Sequence, residues 1–155
     1  MFAPDKLTVG IFLPLRSCEG DMEVLVGQAD LVTEIDRRGF AAVWVRDVPL
    51  FDPSFGDAGQ VFDPFTHLAF LAARTRNVAL ATGSAVVSLR HPIDLAKAAT
   101  TIDQLSGGRL MIGVASGDRP IEFPAYGLEH GARAERFAPG VAFMRQHHGC
   151  RASGH

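Results

Sequence analysis

Cysteine is scarce in this 155-residue chain: only Cys18 and Cys150 occur, with no CxxC pair and no His/Cys cluster. That excludes a disulfide framework and a thiolate metal centre, and two isolated thiols suit a reducing compartment. An imbalance of charge is missing too. Fifteen Lys and Arg face seventeen Asp and Glu, for a net charge of -2. No large positive field follows, so nucleic acid is not an expected partner. No apolar run approaches the roughly 18 residues of a membrane span. The stretch from Leu7 to Leu15 is broken by Gly10 and Pro14 and preceded by Asp5, which makes a poor signal peptide. The expectation is a soluble cytoplasmic protein that needs no membrane. Eleven Phe stand against one Trp and one Tyr, a skew that selects no function class.

What is present is a globular composition of one-domain size, 47% hydrophobic and 21% charged. Short apolar runs alternate with helical periods. Leu7 to Leu13 reads as a strand buried on both faces. Met22 to Arg38 has the helical period, with Leu25, Ala29, Val32 and Ile35 on one face, Leu31 widening it, Asp21 as cap and Gly39 as stop. Ala41 to Val45 is the second strand. A loop of about fifteen residues follows, long by ordinary priors, and carries Phe51, Phe55 and Phe62. Asp63-Pro64 reads as N-cap and first residue of a helix ending near Thr75. Val78 to Thr82 is strand three. His91-Pro92 opens a helix with Ile93, Ala96, Thr100 and Leu105 inward, closed by Ser106-Gly107-Gly108. Leu110 to Val114 is strand four.

These strands begin near residues 7, 41, 78 and 110. That interval is close to the roughly 31 residues per unit of a (β/α)8 barrel. Helical connections between buried strands imply a parallel sheet. A dinucleotide-binding sheet would usually carry a glycine-rich turn after its first strand. Here Leu13-Pro14-Leu15-Arg16 stands in its place, which lowers that reading without removing other doubly wound folds. The expected class is α/β, with parallel (β/α) units forming the N-terminal half of a barrel.

Barrel chemistry sits at the C-terminal strand ends. The groups there are Pro14 to Ser17, Arg46-Asp47, Gly83-Ser84-Ala85, and Ala115 to Pro120. Arg46-Asp47 is either a polar contact to a ligand or a structural ion pair, with Arg119 as a partner, and the two readings weigh equally. Ser116-Gly117-Asp118-Arg119 is either a ligand-approaching turn or an ordinary one. For Gly83-Ser84-Ala85 the plain end of a buried strand is the better reading from the residues alone. His91 reads as a cap or loop residue and His67 as a packed or surface residue. No histidine pair has metal-ligand spacing, so no metal is expected. The thiol of Cys18 reads as inert. The three phenylalanines either wall an apolar pocket or pin the long loop.

The stretch Thr82 to Arg109 closely resembles the third βα unit of luciferase-like monooxygenases. His91-Pro92, Ala96-Lys97 and Asp103-Gln104-Leu105-Ser106-Gly107-Gly108-Arg109 carry the likeness. Leu110 to Asp118 is similar to the family's fourth strand. Trp44 to Phe51 resembles a luciferase-type oxidoreductase subgroup. The likeness covers roughly residues 5 to 140. It implies a barrel enzyme that uses reduced FMN, or coenzyme F420 in some branches, with O2 and a small organic substrate, and with a flavin reductase as a possible supplier. It also implies a cis peptide under the flavin ring at Ser84-Ala85, and a second flavin contact at Ala115-Ser116-Gly117. Arg46, Asp118 and Arg119 complete the implied cofactor set. Bacterial luciferase has a histidine after strand two; here Asp47-Val48-Pro49 stands there, which leaves Asp47 as a weak catalytic candidate.

The family's flavin phosphate is held mainly by strands of the second barrel half, for which this chain is too short. The domain is expected to span 1–143. Residues 144–155 lack an amphipathic period and read as an irregular tail, such as a frameshift or premature stop would leave. A four-stranded half barrel has two open edges, so a homo-oligomer or an aggregation-prone chain is expected. A non-enzymatic fragment is the remaining alternative.

Overall fold

The computed structural model describes residues 7–13, 27–56 and 61–147. Four strands, β1 (Gly10–Leu13), β2 (Ala42–Val45), β3 (Ala79–Val86) and β4 (Leu110–Ala115), lie in the order β1-β2-β3-β4. All three pairings are parallel, and Phe12, Trp44, Ala81 and Met111 share one register row. The helices are α1 (Gln28–Arg37), α2 (Pro64–Arg74), α3 (Pro92–Ser106), a single turn α4 (Glu122–Ala125) and α5 (Arg133–His147). Sequential order with a helix in each crossover is the arrangement that the alternation of runs implies. Among the described residues no helix is long and apolar enough to cross a membrane.

One core joins the helices to one face of the sheet. Val32 and Ile35 of α1, Leu68 and Leu71 of α2, Leu95 and Ile102 of α3, and Met144 of α5 pack on Val43, Val45, Leu80 and Ala85. Local signals set the helix ends. The Asp63 side chain accepts the Thr66 N–H at 2.9 Å and Pro64 follows it. His91 Nδ1 accepts the Ile93 N–H at 3.3 Å, so this histidine is a cap. Gly107 closes α3 with φ 70, a left-handed conformation that suits glycine.

The opposite face carries small residues and two aromatic rings. Phe12 stacks on Trp44 with ring centroids 6.0 Å apart. A methyl group at Gly83 would collide with the Phe12 ring, so glycine lets that ring lie flat across β3.

Several expectations change. β1 is not buried on both faces: Phe12 is 50% exposed and only Leu13 is buried. Among the described residues β1 is an edge strand, and no element covers its non-helix face. In α3 the inward residues are Leu95, Ala96, Ala99, Ile102 and Ser106, whereas Ile93 and Leu105 are exposed. The apolar stripe follows the 3- and 4-residue steps from Leu95 through Ala99 and Ile102 to Ser106. The fourth long helix runs through His147 with Met144 buried in the core, so residues 144–147 are helical rather than irregular. Residues 148–155 lie outside the described residues, as do Asp21, Leu25, Cys18, Cys150 and the segment Pro14 to Ser17.

Candidate functional site

The parallel sheet sends the C-terminal ends of β2, β3 and β4 to one rim. A cavity of about 440 Å³ opens there, within the range of small-molecule sites. Its walls are Arg46, Asp47, Val48, Phe55 and Gly56 on one side and Ala115, Ser116, Gly117, Asp118 and Arg119 on the other. Gly83, Ser84 and Val86 form the floor between them. Of the expected site residues, Arg46, Asp47, Ser84, Ala115, Ser116, Gly117, Asp118 and Arg119 therefore meet on one cavity. Ala85 does not: it is fully buried and belongs to the core under the helices. The register shift between β3 and β4 at Thr82 and Ala85 separates its orientation from that of Ser84.

The non-proline cis peptide is found at Gly83-Ser84, one residue before the expected Ser84-Ala85. Gly117 has φ 84, and a Cβ there would lie 2.9 Å from Val86 Cγ1 and 3.1 Å from the Phe123 ring. Only glycine permits this turn to pass so closely over β3 and α4.

Asp47 has a definite partner, and it is Arg90 rather than Arg119. Its Oδ1 accepts from Arg90 Nη2 at 2.8 Å, and its Oδ2 accepts from Arg90 Nη1 and from the Val86 N–H at 2.8 Å. The side chain is 1% exposed. A carboxylate so engaged makes the contacts of a structural ion pair at the rim. Arg90 also reaches Asp63, the α2 cap, at 3.6 Å. One ion pair thereby fixes the ends of β2 and β3 to the start of α2.

Arg119 is buried, and its guanidinium lies 4.5 Å above the Phe55 ring. Phe55 thus helps wall the cavity, while Phe62 packs edge-on against His67 at 5.3 Å and stays outside it. His67 is buried and contacts Gln28 Oε1 at 3.1 Å; burial lowers its pKa, which keeps the ring neutral. That is a packed histidine, not a base.

Two charged residues beside the cavity were missed from the sequence. Arg90 stands directly before His91-Pro92, and a charge at the end of an apolar run was its available signal. Glu122 is 1% exposed and lies in a segment with no period to flag it. Burial pushes its carboxyl up to about 6, against the pull of Arg119 and the Leu50 N–H.

Residues 7–148 match the model of the family described as luciferase-like monooxygenase. The oxygenase component of a flavin-dependent trigonelline monooxygenase from Acinetobacter baylyi is 36% identical over 68% of this chain and 25% of its own length. An F420-dependent glucose-6-phosphate dehydrogenase from Nakamurella multipartita is 32% identical over 71% of this chain and 32% of its own. Among solved structures, the oxygenating constituent of 3,6-diketocamphane monooxygenase from Pseudomonas putida, in complex with FMN, superposes with a TM-score of 0.73. It shares 16% identity and is covered over 88% of this chain and 38% of its own. The chain therefore spans between a quarter and two fifths of the length of these relatives. With a parallel sheet, a rim cavity and a family match across nearly its whole length, the chain belongs to the luciferase-like monooxygenases, a family of flavin-dependent enzymes.

Proposed function

We propose that the rim cavity holds the ring system of reduced FMN, and that the complete enzyme uses it with O2 to oxidise a small organic substrate. One observation carries this reading: the ends of three neighbouring strands meet on a single cavity with a floor and turn of glycine, serine and alanine. Such a floor admits a flat ring close to the backbone, where Gly83-Ser84 and Ala115 to Gly117 would hold it and Arg46 and Arg119 would offer cationic donors. Reduced flavin supplies the electrons that activate O2. The chain's own part is to place the ring, cover it with Phe55 and limit the access of water. Asp47 holds the rim together through Arg90 and the Val86 N–H. A separate flavin reductase is the partner that would deliver reduced FMN.

Coenzyme F420 is a second reading, supported by the 32% identity to an F420-dependent dehydrogenase. Titration of the protein with reduced and oxidised FMN and with F420, followed by absorbance and fluorescence, tests both. Saturable binding of reduced FMN, with oxygen consumption, is the expected result. Binding of F420 alone without oxygen uptake would favour the second reading, and binding of neither would leave a chain without independent activity.

A further inference from the structure

The two long walls of the cavity belong to separate segments. One follows β2 and the other follows β4. Contacts among the described residues bridge them. The Arg119 guanidinium lies over the Phe55 ring, and the Glu122 carboxylate accepts the backbone N–H of Leu50. Glu122 is fully buried, and its Oε1 has no hydrogen-bond partner among the described residues. A buried acid with an idle oxygen is costly, and a glutamine would fill the same space at less cost. Packing does not call for an acid here, because Phe123 already fills the apolar space beneath Gly117. What a carboxylate adds over an amide is charge, and the cation acting on it is Arg119.

We propose that Glu122 is a positioning residue for the candidate site, acting through Leu50 and Arg119 to fasten the segment after β2 to the turn after β4 and so set the width of the cavity. The charged and titratable groups that face it are Arg119 and Asp118 from that turn, Asp47 from the end of β2, and Tyr126 at the end of α4. Burial and the two aspartates favour the neutral acid, while Arg119 and Leu50 favour the carboxylate. The fastening is complete above the carboxyl's pKa of about 6 and slackens below it. Glu122→Gln reproduces the slack state at every pH, because a neutral acceptor bonds Leu50 more weakly than a charged one.

Amide hydrogen exchange of the whole chain reads the fastening without any ligand. At pH 8 the Leu50 amide is expected to lose about fivefold in protection in Glu122→Gln, and at pH 5 wild type and variant should converge. The Leu80 amide, which donates to the Arg109 carbonyl at 2.9 Å, reports global opening of the core, and Leu50 protection is read relative to it. Equal Leu50 protection at pH 8, or a difference that persists undiminished at pH 5, overturns the proposal. The effect on the cavity rests on the flavin reading and is measured separately. The Kd for reduced FMN should rise about fivefold in the variant at pH 8 and match wild type at pH 5. An unchanged Kd beside a loosened Leu50 overturns the control of cavity width. Failure of both proteins to bind FMN refutes the flavin reading, and Leu50 exchange then decides the fastening alone.

Discussion

Two buried carboxylates near the rim lead opposite lives. Asp47 is bracketed by Arg90 and the Val86 N–H, so its charge is fully used. Glu122 has one idle oxygen and a carboxyl held up at about 6. Removing the charge should therefore have opposite consequences. Asp47→Ala strands Arg90, which is 17% exposed, without its main partner; a loss of about 3 kcal/mol is expected in urea unfolding. For Glu122 the sign runs the other way. Its acid form is preferred in the fold, so the fold binds the proton more tightly than the unfolded chain does. As pH rises from the ordinary value of 4.5 through about 6, stability falls. Above that window Glu122→Gln should be more stable than wild type in urea unfolding, because the amide carries no charge that burial penalises. Below pH 4.5 the two should unfold alike. A variant less stable than wild type at pH 8 would show that the carboxylate is stabilising.

At the scale of elements, the most recognisable stretch of sequence and the candidate site occupy opposite ends of the sheet. Asp103 to Arg109 ends α3 and leads into the start of β4, away from the rim. Arg109 is buried there and donates to the Ala72, Thr75 and Val78 carbonyls, to Thr75 Oγ1 and to the Ser106 carbonyl. It ties the end of α2 and the entry to β3 onto β4, and conservative architecture rather than chemistry explains the motif. Arg109→Met should cost about 3 kcal/mol of stability and leave the FMN affinity of the folded fraction unchanged. Gly117→Val should do the reverse at the rim: its positive φ and the close Val86 and Phe123 side chains block the turn, so flavin binding should vanish with a stability loss of only about 1–2 kcal/mol. If both variants lose binding in proportion to stability, the separation of the two ends fails.

The same contrast explains what could be read in advance. The ends of β1, β2 and β4 were legible to within a residue because a short apolar run followed by proline, charge or a small turn residue marks them, whereas β3 runs on to Val86, past the expected Thr82, so Gly83 and Ser84 lie within the strand. The parallel order brings Arg46, Ser84 and Gly117 to one rim. Caps at Asp63 and His91 were legible because proline follows each. The inward face of α3 was legible only at Ala96, since Leu95, Ala99 and Ile102 do the packing while the equally apolar Ile93 and Leu105 are exposed. The Arg90 partner of Asp47 was not legible either. Arg119 is the nearer guess by rim position, yet only the path of the chain after β3 swings Arg90 over the carboxylate.

At the scale of the whole molecule, the described residues cover the sheet on one side. Helices cover one face, while on the other Phe12 is 50% exposed and every residue of β4 is half-buried. Among the described residues, β1 and β4 each pair with one neighbour and leave their outer edges free. Parallel strands in sequential order make those two edges complementary. Turning a second copy about a two-fold axis along the strands sets its β1 beside the first copy's β4, still parallel, and covers both open faces at once. Isolated as this 155-residue chain of 16.6 kDa, the protein should therefore associate, and light scattering should give a mass of at least twice that value. Leu7 and Val9, which are 96% and 55% exposed just before β1, test the edge without touching the core. Leu7→Lys with Val9→Lys places like charges along the joining edge and should shift the population toward monomer while leaving the unfolding midpoint within about 0.5 kcal/mol of wild type. A wild-type chain that stays monomeric at high concentration would mean that the open face is tolerated in water, and the small residues along it, Gly83, Ala81 and Gly113, would then be the reason, because they present little apolar area to hide.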